Sequence, residues 1–366
     1  MNNEIALEVK DLQKQFPVGK SGLWGSAAVV HALNGVSFKL RQGEMLALVG
    51  ESGCGKSTLA MTLMGLEKPT SGEIYFEGKN VTHVKGRGLK EMRRHIQMVF
   101  QDPYEALNPL MTIEEIVAEP LEVHGLGRSR EERQQRVKQV LEDSGLKPAE
   151  NYLNRRPQEL SGGQRQRVVI AGGMVLEPSI LLADEPVSML DVSIRAEILN
   201  LLSDLCRRMG VAMLFITHDL ATCAYLADRV AIMYLGRVVE IGPVNEVLEH
   251  PAHPYTRALL SVIPVPNPRH RRERVILQGQ PPNAVELPSG CHFHPRCPLL
   301  SENSRNIPSE HSGCTCPEGV VARNGCISPE FERCKQEDPH LVSLPGGKED
   351  LFGLHQVACW FSLPRE

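Results

Sequence analysis

Nine residues, Gly50-Glu51-Ser52-Gly53-Cys54-Gly55-Lys56-Ser57-Thr58, satisfy the pattern G-x-x-x-x-G-K-[ST]. Glycines at these spacings let the backbone curl around a phosphate chain and aim its N–H groups inward. Lys56 can then reach the β- and γ-phosphates of a nucleoside triphosphate, and the Ser57 hydroxyl can hold Mg2+. A second chemical group ends the apolar run Ile180-Leu181-Leu182-Ala183-Asp184-Glu185, 128 residues after Lys56. A buried strand here delivers two carboxylates to the tip of a sheet. Asp184 is placed to bind Mg2+, directly or through water, and Glu185 to act as general base on an attacking water. A third lies in Leu160-Ser161-Gly162-Gly163-Gln164-Arg165-Gln166-Arg167, where Ser and two Gly precede a helical stretch. That is a second anion-binding helix start, or else an ordinary helix N-cap. One phosphate loop already holds one nucleotide, so a second anion site makes sense if it serves another subunit's nucleotide.

Elements must position these groups. Met45–Val49 reads as a buried strand leading into the loop, and Leu59–Met64 as a helix whose N-terminus faces it. The strand candidates are Glu44–Val49, which contains that run, Ile96–Phe100, Ile180–Ala183, Ala212–Thr217 and Arg229–Tyr234. Short apolar runs alternate with helical patterns from residue 1 to about 240, which argues for a parallel α/β sheet. Residues 110–160 are rich in Glu, Arg, Gln and Leu at helical spacing and carry the charged run 128–133. They read as a helical insertion with a solvated face. Asp191-Val192-Ser193 can cap a helix continuing Ile194–Leu202, with one apolar stripe at 194, 198, 201, 202 and 205.

The chain has 366 residues, enough for two domains, with 42% hydrophobic and 23% charged residues, as in soluble globular proteins. A net charge of −4 offers no electrostatic case for nucleic acid. No basic-then-apolar leader is visible at the N-terminus and no run of about 18 apolar residues occurs, so the cytosol is the expected compartment. There the ten cysteines are not read as structural disulfides. Seven of them follow Gly290, a composition shift that marks a second region.

The phosphate loop, Ser161-Gly162-Gly163-Gln164, the strand ending Asp184-Glu185, Ser188-Met189-Leu190-Asp191 and Thr217-His218-Asp219 resemble, in type and order, the motifs of ABC-type ATPases. The resemblance spans residues 5–265. Phe100-Gln101-Asp102-Pro103-Tyr104, Leu107-Asn108-Pro109, His253-Pro254-Tyr255-Thr256 and Cys291-His292-Phe293-His294-Pro295-Arg296-Cys297-Pro298 look like the oligopeptide/dipeptide importer subfamily. Phe16-Pro17-Val18-Gly19-Lys20 leans toward the second ("F") of its two ATPase types. The resemblance implies an α/β P-loop NTPase core of RecA-like ABC type over residues 1–250. It further implies a helical subdomain at about 102–163 and a small, irregular Cys-rich C-terminal domain over 251–366. It implies that Phe16 stacks on adenine and that ATP sits on Gly50 to Thr58. Mg2+ would be held by Ser57, Gln101 and Asp184, with Gln101 also sensing the membrane subunits. Ser161, Gly162, Gly163 and Gln164 would close over ATP on the opposite subunit. Asp191 would cross the dimer interface, and His218 would be the switch histidine near the γ-phosphate. Glu185, His218 and Gln101 form the expected catalytic set.

Cys291, Cys297, Cys334 and Cys359 match the family's four-cysteine tail, which resembles a [4Fe–4S] site. Zn2+ and unmetallated thiols compete with that reading, and Cys314, Cys316 and Cys326 could swap in as ligands. Cys54, Cys206 and Cys223 read as a loop residue and two packing residues. Two departures stand out. Ile170-Ala171-Gly172-Gly173-Met174 puts two glycines in a helix, each costing about 1 kcal/mol against Ala, and Met189 replaces a more usual Ala. The expected role is the ATPase subunit of a peptide importer, peripheral on the cytoplasmic face of the membrane. Its expected partners are a second ATPase subunit (like or unlike), two transmembrane permease subunits and an extracytoplasmic binding protein. Nickel or glycoside cargo, a non-transport ABC ATPase and a redox-sensing regulator are the alternatives. The 105 residues from Lys56 to Ser161, without sustained heptads, argue against a DNA-repair type with its long coiled coil.

Overall fold

A computed structural model describes residues 4–19, 28–263, 274–300, 329–344 and 354–361. Cys314, Cys316, Cys326 and Lys20 lie outside them. The chain divides into two compact units, Met1–Leu12, Ser37–Ala47 and Ser57–Thr217 in one, and Gln13–Val36, Leu48–Lys56 and His218–Glu366 in the other.

In the first unit, the start of β3 (Met45–Val49) lies beside β8 (Ala212–Thr217), followed by β7 (Ile180–Asp184) and β6 (Ile96–Val99). β6, β7 and β8 are parallel, with Ile96 opposite Ile180 and Asp184 opposite Ile216. Every residue of β3, β7 and β8 is buried, which is why these strands are continuous apolar runs rather than alternating ones. A second sheet is built from β4 (Ser71–Phe76), the antiparallel β5 (Lys79–Asn80) and the unit's parts of β1 (Ile5–Val18) and β2 (Ala28–Arg41). Its β4–β5 turn uses Glu77 and Gly78, both at positive φ, the twist that a two-residue hairpin needs.

The same unit carries α1 (Lys56–Leu63) from Ser57 onward, α2 (Arg87–His95), α3 (Pro103–Ala106), α4 (Ile113–His124), α5 (Arg130–Asp143), α6 (Glu150–Leu153), α7 (Gly162–Met174) and α8 (Val192–Met209). The helical insertion is therefore present. α4 starts with a Thr112–Glu115 capping box, buries Ile113, Val117 and Leu121 on one face, and packs against α5 and α7. α5 starts inside the charged run, with Ser129 accepting the Glu132 N–H. In α8 the expected stripe buries Ile198, Leu202 and Leu205, joined by Leu199 and Cys206.

In the second unit, β9 (Arg229–Tyr234) and β10 (Arg237–Pro243) form an antiparallel pair whose turn residues Leu235 and Gly236 both have positive φ. β10 pairs with β12 (Gln356–Val357), and β12 with β11 (Val342–Ser343). Among the described residues this unit carries α9 (Leu220–Leu226), α10 (Val244–Glu249), α11 (Pro254–Ser261) and α12 (Pro329–Gln336). The fully buried Glu240 carboxylate on β10 accepts hydrogen bonds from the Ala252 and His253 N–H groups at 2.7 and 3.0 Å. It also bonds His355 Nε2 at 2.6 Å. One carboxylate thus ties a strand, the entry to α11 and the C-terminal strand. The described C-terminal residues share one compact unit with residues 48–56 and 218–250, and this division gives no support to the expected Cys-rich domain over 251–366. Among the described residues no helix is long and apolar enough to cross a membrane.

Candidate active site

The loop between β3 and α1 requires glycine at two positions. A Cβ on Gly50 would lie 2.2 Å from the Met233 carbonyl oxygen, and one on Gly55 would lie 2.4 Å from that of Ala32, with Gly55 also at φ +106°. Lys56 is buried, and its Nζ donates to the Gly50 and Glu51 carbonyls at 2.7 and 3.0 Å. Cys54 is buried behind the loop, accepts the Gly236 N–H through its carbonyl at 2.8 Å, and has its thiol pKa raised by burial. Ser52 is exposed, and Ser57 and Thr58 follow Lys56 in the first turn of α1.

Two residues far along the chain brace this loop. Arg296 donates from both terminal nitrogens to the Glu51 carboxylate, at 2.8 and 3.2 Å. The Tyr255 hydroxyl accepts the Glu51 N–H at 3.0 Å. Tyr255 is fully buried against Tyr234 and Phe293, ring centroids 4.8 and 5.4 Å away. Burial, then the Glu51 charge, pushes its pKa up. Burial pulls the Arg296 pKa down, but its hydrogen bonds to Glu51 outweigh that and hold the guanidinium charged. His253 holds Tyr255 in place, since its Nδ1 accepts the Tyr255 N–H at 3.0 Å and so caps α11. Full burial lowers the His253 pKa to about 4, which keeps that ring neutral and able to accept. The sequence pointed to both motifs only through family likeness. The signal for bracing was an Arg and a Tyr inside them, 245 and 204 residues from Glu51.

In the first unit, β7 ends at the buried Asp184. Glu185 follows at φ +45°, an uncommon backbone state for a side chain of this size and one that clusters at functional sites. The Glu185 N–H bonds the Ile216 carbonyl at 2.9 Å, and its own carbonyl accepts from the Ser188 hydroxyl at 3.0 Å. Gln101, just beyond β6, donates from Nε2 to Glu185 Oε2 at 3.4 Å, so the structure brings these two expected catalytic residues together. Thr217 closes β8 and the exposed His218 comes next; Asp219 then caps α9 by accepting the Ala221 N–H.

Ser161 is the exposed N-cap of α7. Its hydroxyl accepts the Gln164 N–H at 3.3 Å, and Gln164 Oε1 accepts the Ser161 N–H at 3.0 Å, a complete capping box. A Cβ on Gly163 would lie 2.8 Å from Ile194 Cγ2, while Gly162 has room. The helix runs unbroken through Gly172 and Gly173. Asp191 occupies the N-cap position of α8, but its side chain makes no capping bond, which corrects the expected cap, and the residue is exposed. Phe16 is half-buried with the Lys14 ammonium 4.5 Å from its ring centroid.

Cys291, Cys297, Cys334 and Cys359 line one cavity together with His253, Phe293 and Trp360. The Cys291 N–H donates to the Cys334 carbonyl at 2.9 Å. Burial raises all four thiols, Cys297 to about 11 and Cys334 to about 12, so they are held protonated. Among the described residues no group of three or more His, Cys, Asp or Glu is placed to hold a metal ion. The expected iron–sulfur or zinc ligand set is therefore not assembled, although its four thiols share a cavity. Cys206 and Cys223 are buried packing residues, as expected.

Residues 33–188 match the ABC transporter family, and residues 239–303 match the C-terminal region of oligopeptide/dipeptide transporters. The chain is 43% identical to a probable peptide ABC transporter ATP-binding protein of Sinorhizobium fredii, over 99% of this chain and 91% of that one. It is 46% identical to the oligopeptide transport ATP-binding protein OppF of Salmonella typhimurium, over 81% of this chain and 89% of that one. Among solved structures it resembles an ATP-binding cassette captured as a dimer in a post-hydrolysis state with ADP and Pi. That match has a TM-score of 0.58 and 32% identity, covering 65% of this chain and 98% of the other.

Proposed function

Because the chain belongs to the ATP-binding proteins of the oligopeptide/dipeptide type of ABC transporter, we propose that it hydrolyses ATP to power import of di- and oligopeptides. The observation that carries the ATPase reading is the glycine cradle of Gly50 and Gly55, with Lys56 held at its mouth. The cradle N–H groups, Lys56, Ser57 and Thr58 bind the phosphates, and Phe16 takes the adenine. Ser57, Gln101 and Asp184 would hold Mg2+, which would supply neutralisation of the phosphate charge. Glu185 takes the proton from the attacking water, and Gln101, within reach of it, fixes its orientation. His218 contacts the γ-phosphate.

Ser161, Gly162, Gly163 and Gln164 act on ATP bound to a second ATPase subunit, like or unlike, with Asp191 at the crossing. The capped start of α7, with Ser161 exposed, suits that role, since a helix N-terminus favours an anion. Binding of ATP then draws two ATPase subunits together and hydrolysis releases them. That cycle switches two membrane permease subunits on whose cytoplasmic face this chain sits, with peptide delivered by an extracytoplasmic binding protein.

Uptake of labelled dipeptides and longer peptides tests the assignment, in cells lacking other peptide importers and expressing the full transporter. Uptake with the native chain and none with Glu185→Gln is expected. No uptake with either, despite an assembled complex, overturns the peptide assignment in favour of nickel or glycosides. A metal at Cys291, Cys297, Cys334 and Cys359 is a second reading, favoured only by the shared cavity. Iron, sulfide and zinc analysis of chain purified without oxygen tests it, and absence of all three leaves a packed thiol cavity.

A further inference from the structure

The loop that would bind ATP contains a carboxylate. Glu51 is the first residue after Gly50, and its backbone carbonyl is already within 3.0 Å of Lys56 Nζ. A carboxylate so close to a site for a polyanion is unfavourable in two ways. Its charge repels the phosphates, and it competes with them for the Lys56 ammonium. The loop therefore needs something that cancels this charge and turns it away.

Arg296 does both. Its guanidinium is buried, with the side chain 7% exposed, and it grips Glu51 with both terminal nitrogens in a fork. Among the described residues its Nε has no hydrogen-bond partner, and the guanidinium also lies 5.9 Å from the Tyr234 ring centroid, so its two carboxylate bonds both go to the loop. The turn that carries it is fixed from both sides. The Arg296 N–H donates to the Phe293 carbonyl at 3.0 Å, and Phe293 is packed edge-on against Tyr234. The Cys291 N–H is bonded to α12 through Cys334. The Tyr255 hydroxyl adds a second restraint by drawing in the Glu51 N–H.

We propose that Arg296 is a positioning residue for the nucleotide: it neutralises and withdraws the Glu51 carboxylate, leaving Lys56 and the loop N–H groups for phosphate. The C-terminal extension is thereby part of the ATP site's construction. The inference rests on the ATP-binding role of the loop.

The test is titration of the purified full-length chain with a fluorescent Mg-ATP analogue, alongside thermal unfolding. Arg296→Met leaves the Glu51 charge uncompensated and weakens binding on the order of ten- to a hundred-fold, the scale of losing a charge-assisted bidentate partner. Removing that charge as well, in Arg296→Met with Glu51→Gln, restores binding to within about three-fold of native. A purely structural tie would not be rescued this way, since the double variant lacks it too. Arg296→Lys, with one donor group in place of the fork, falls between. If Arg296→Met does not fold, Arg296→Lys with and without Glu51→Gln gives the same comparison at smaller amplitude. Binding by Arg296→Met within about three-fold of native, or a loss that Glu51→Gln leaves unchanged, overturns the role of Arg296. No binding by the native chain overturns the nucleotide reading itself, a result distinct from either.

Discussion

Glu185 is held where few residues of its size sit. Its φ of +45° is stabilised by backbone bonds to Ile216 and Ser188, and its carboxylate lies against Gln101. Glu185→Gln keeps shape and polarity but cannot take a proton. We expect a fall in ATP hydrolysis of about 10²- to 10⁴-fold with ATP binding retained. A steady-state hydrolysis assay paired with nucleotide titration checks this, and hydrolysis within ten-fold of native would remove Glu185 from the base role. Asp191 shows how sequence spacing misleads for a single residue. Its N-cap position was legible, but the capping bond was not, because whether a short carboxylate bends back onto its own helix depends on χ angles that spacing does not encode.

α7 carries Gly172 and Gly173 where a helix would favour alanine. Gly172 has nothing within 4 Å of an added Cβ, and Gly173 would meet Leu181 and Val99 at 3.6 Å, an ordinary contact. Gly172→Ala should therefore stabilise the chain by about 0.5–1 kcal/mol, read as a raised denaturation midpoint. A lowered midpoint would mean that the glycine serves something other than helix formation. α11 offers a pH signature. The neutral His253 ring that caps it has a pKa of about 4 against 6.5 in the unfolded chain, so the unfolded chain takes up the proton first. Its contribution is complete above pH 6.5 and lost as pH falls toward 4. His253→Asn can cap without titrating, so its stability should decline less over that window than that of the native chain. Equal declines would refute the assignment. The strands β3, β6, β7, β8 and β9 were legible as short apolar runs, whereas β1, β2, β4, β5, β10, β11 and β12 were not among the expected strands. β1 and β2 are half-buried and polar at many positions, so their pattern resembles that of surface segments.

In the second unit the C-terminal residues are structural members rather than an appendage. The Glu240 carboxylate is fully buried and shared between the start of α11 and His355. His355→Ala removes one partner of a buried charge and should cost about 3 kcal/mol, seen as a lower thermal midpoint. An unchanged midpoint would show that β12 contributes little to holding this unit. The expected Cys-rich domain over 251–366 finds no support in this division. Composition marks where residue usage changes, but a compact unit is defined by which segments bury surface together, and here β12 completes β10 while Arg296 reaches Glu51.

The phosphate loop, the acids ending β7, the capped start of α7 and the order of these motifs were all readable from the linear chain. Each is contiguous, and its chemistry follows from residue type at short spacing. The Gln101–Glu185 contact, the Tyr255 and Arg296 braces on Glu51 and the common cavity of four cysteines were not. They join residues 84, 204 and 245 positions apart, or segments from 291 to 359. Local propensity carries no information across such separations; burial and strand register, which exist only once the chain has folded, bring them together.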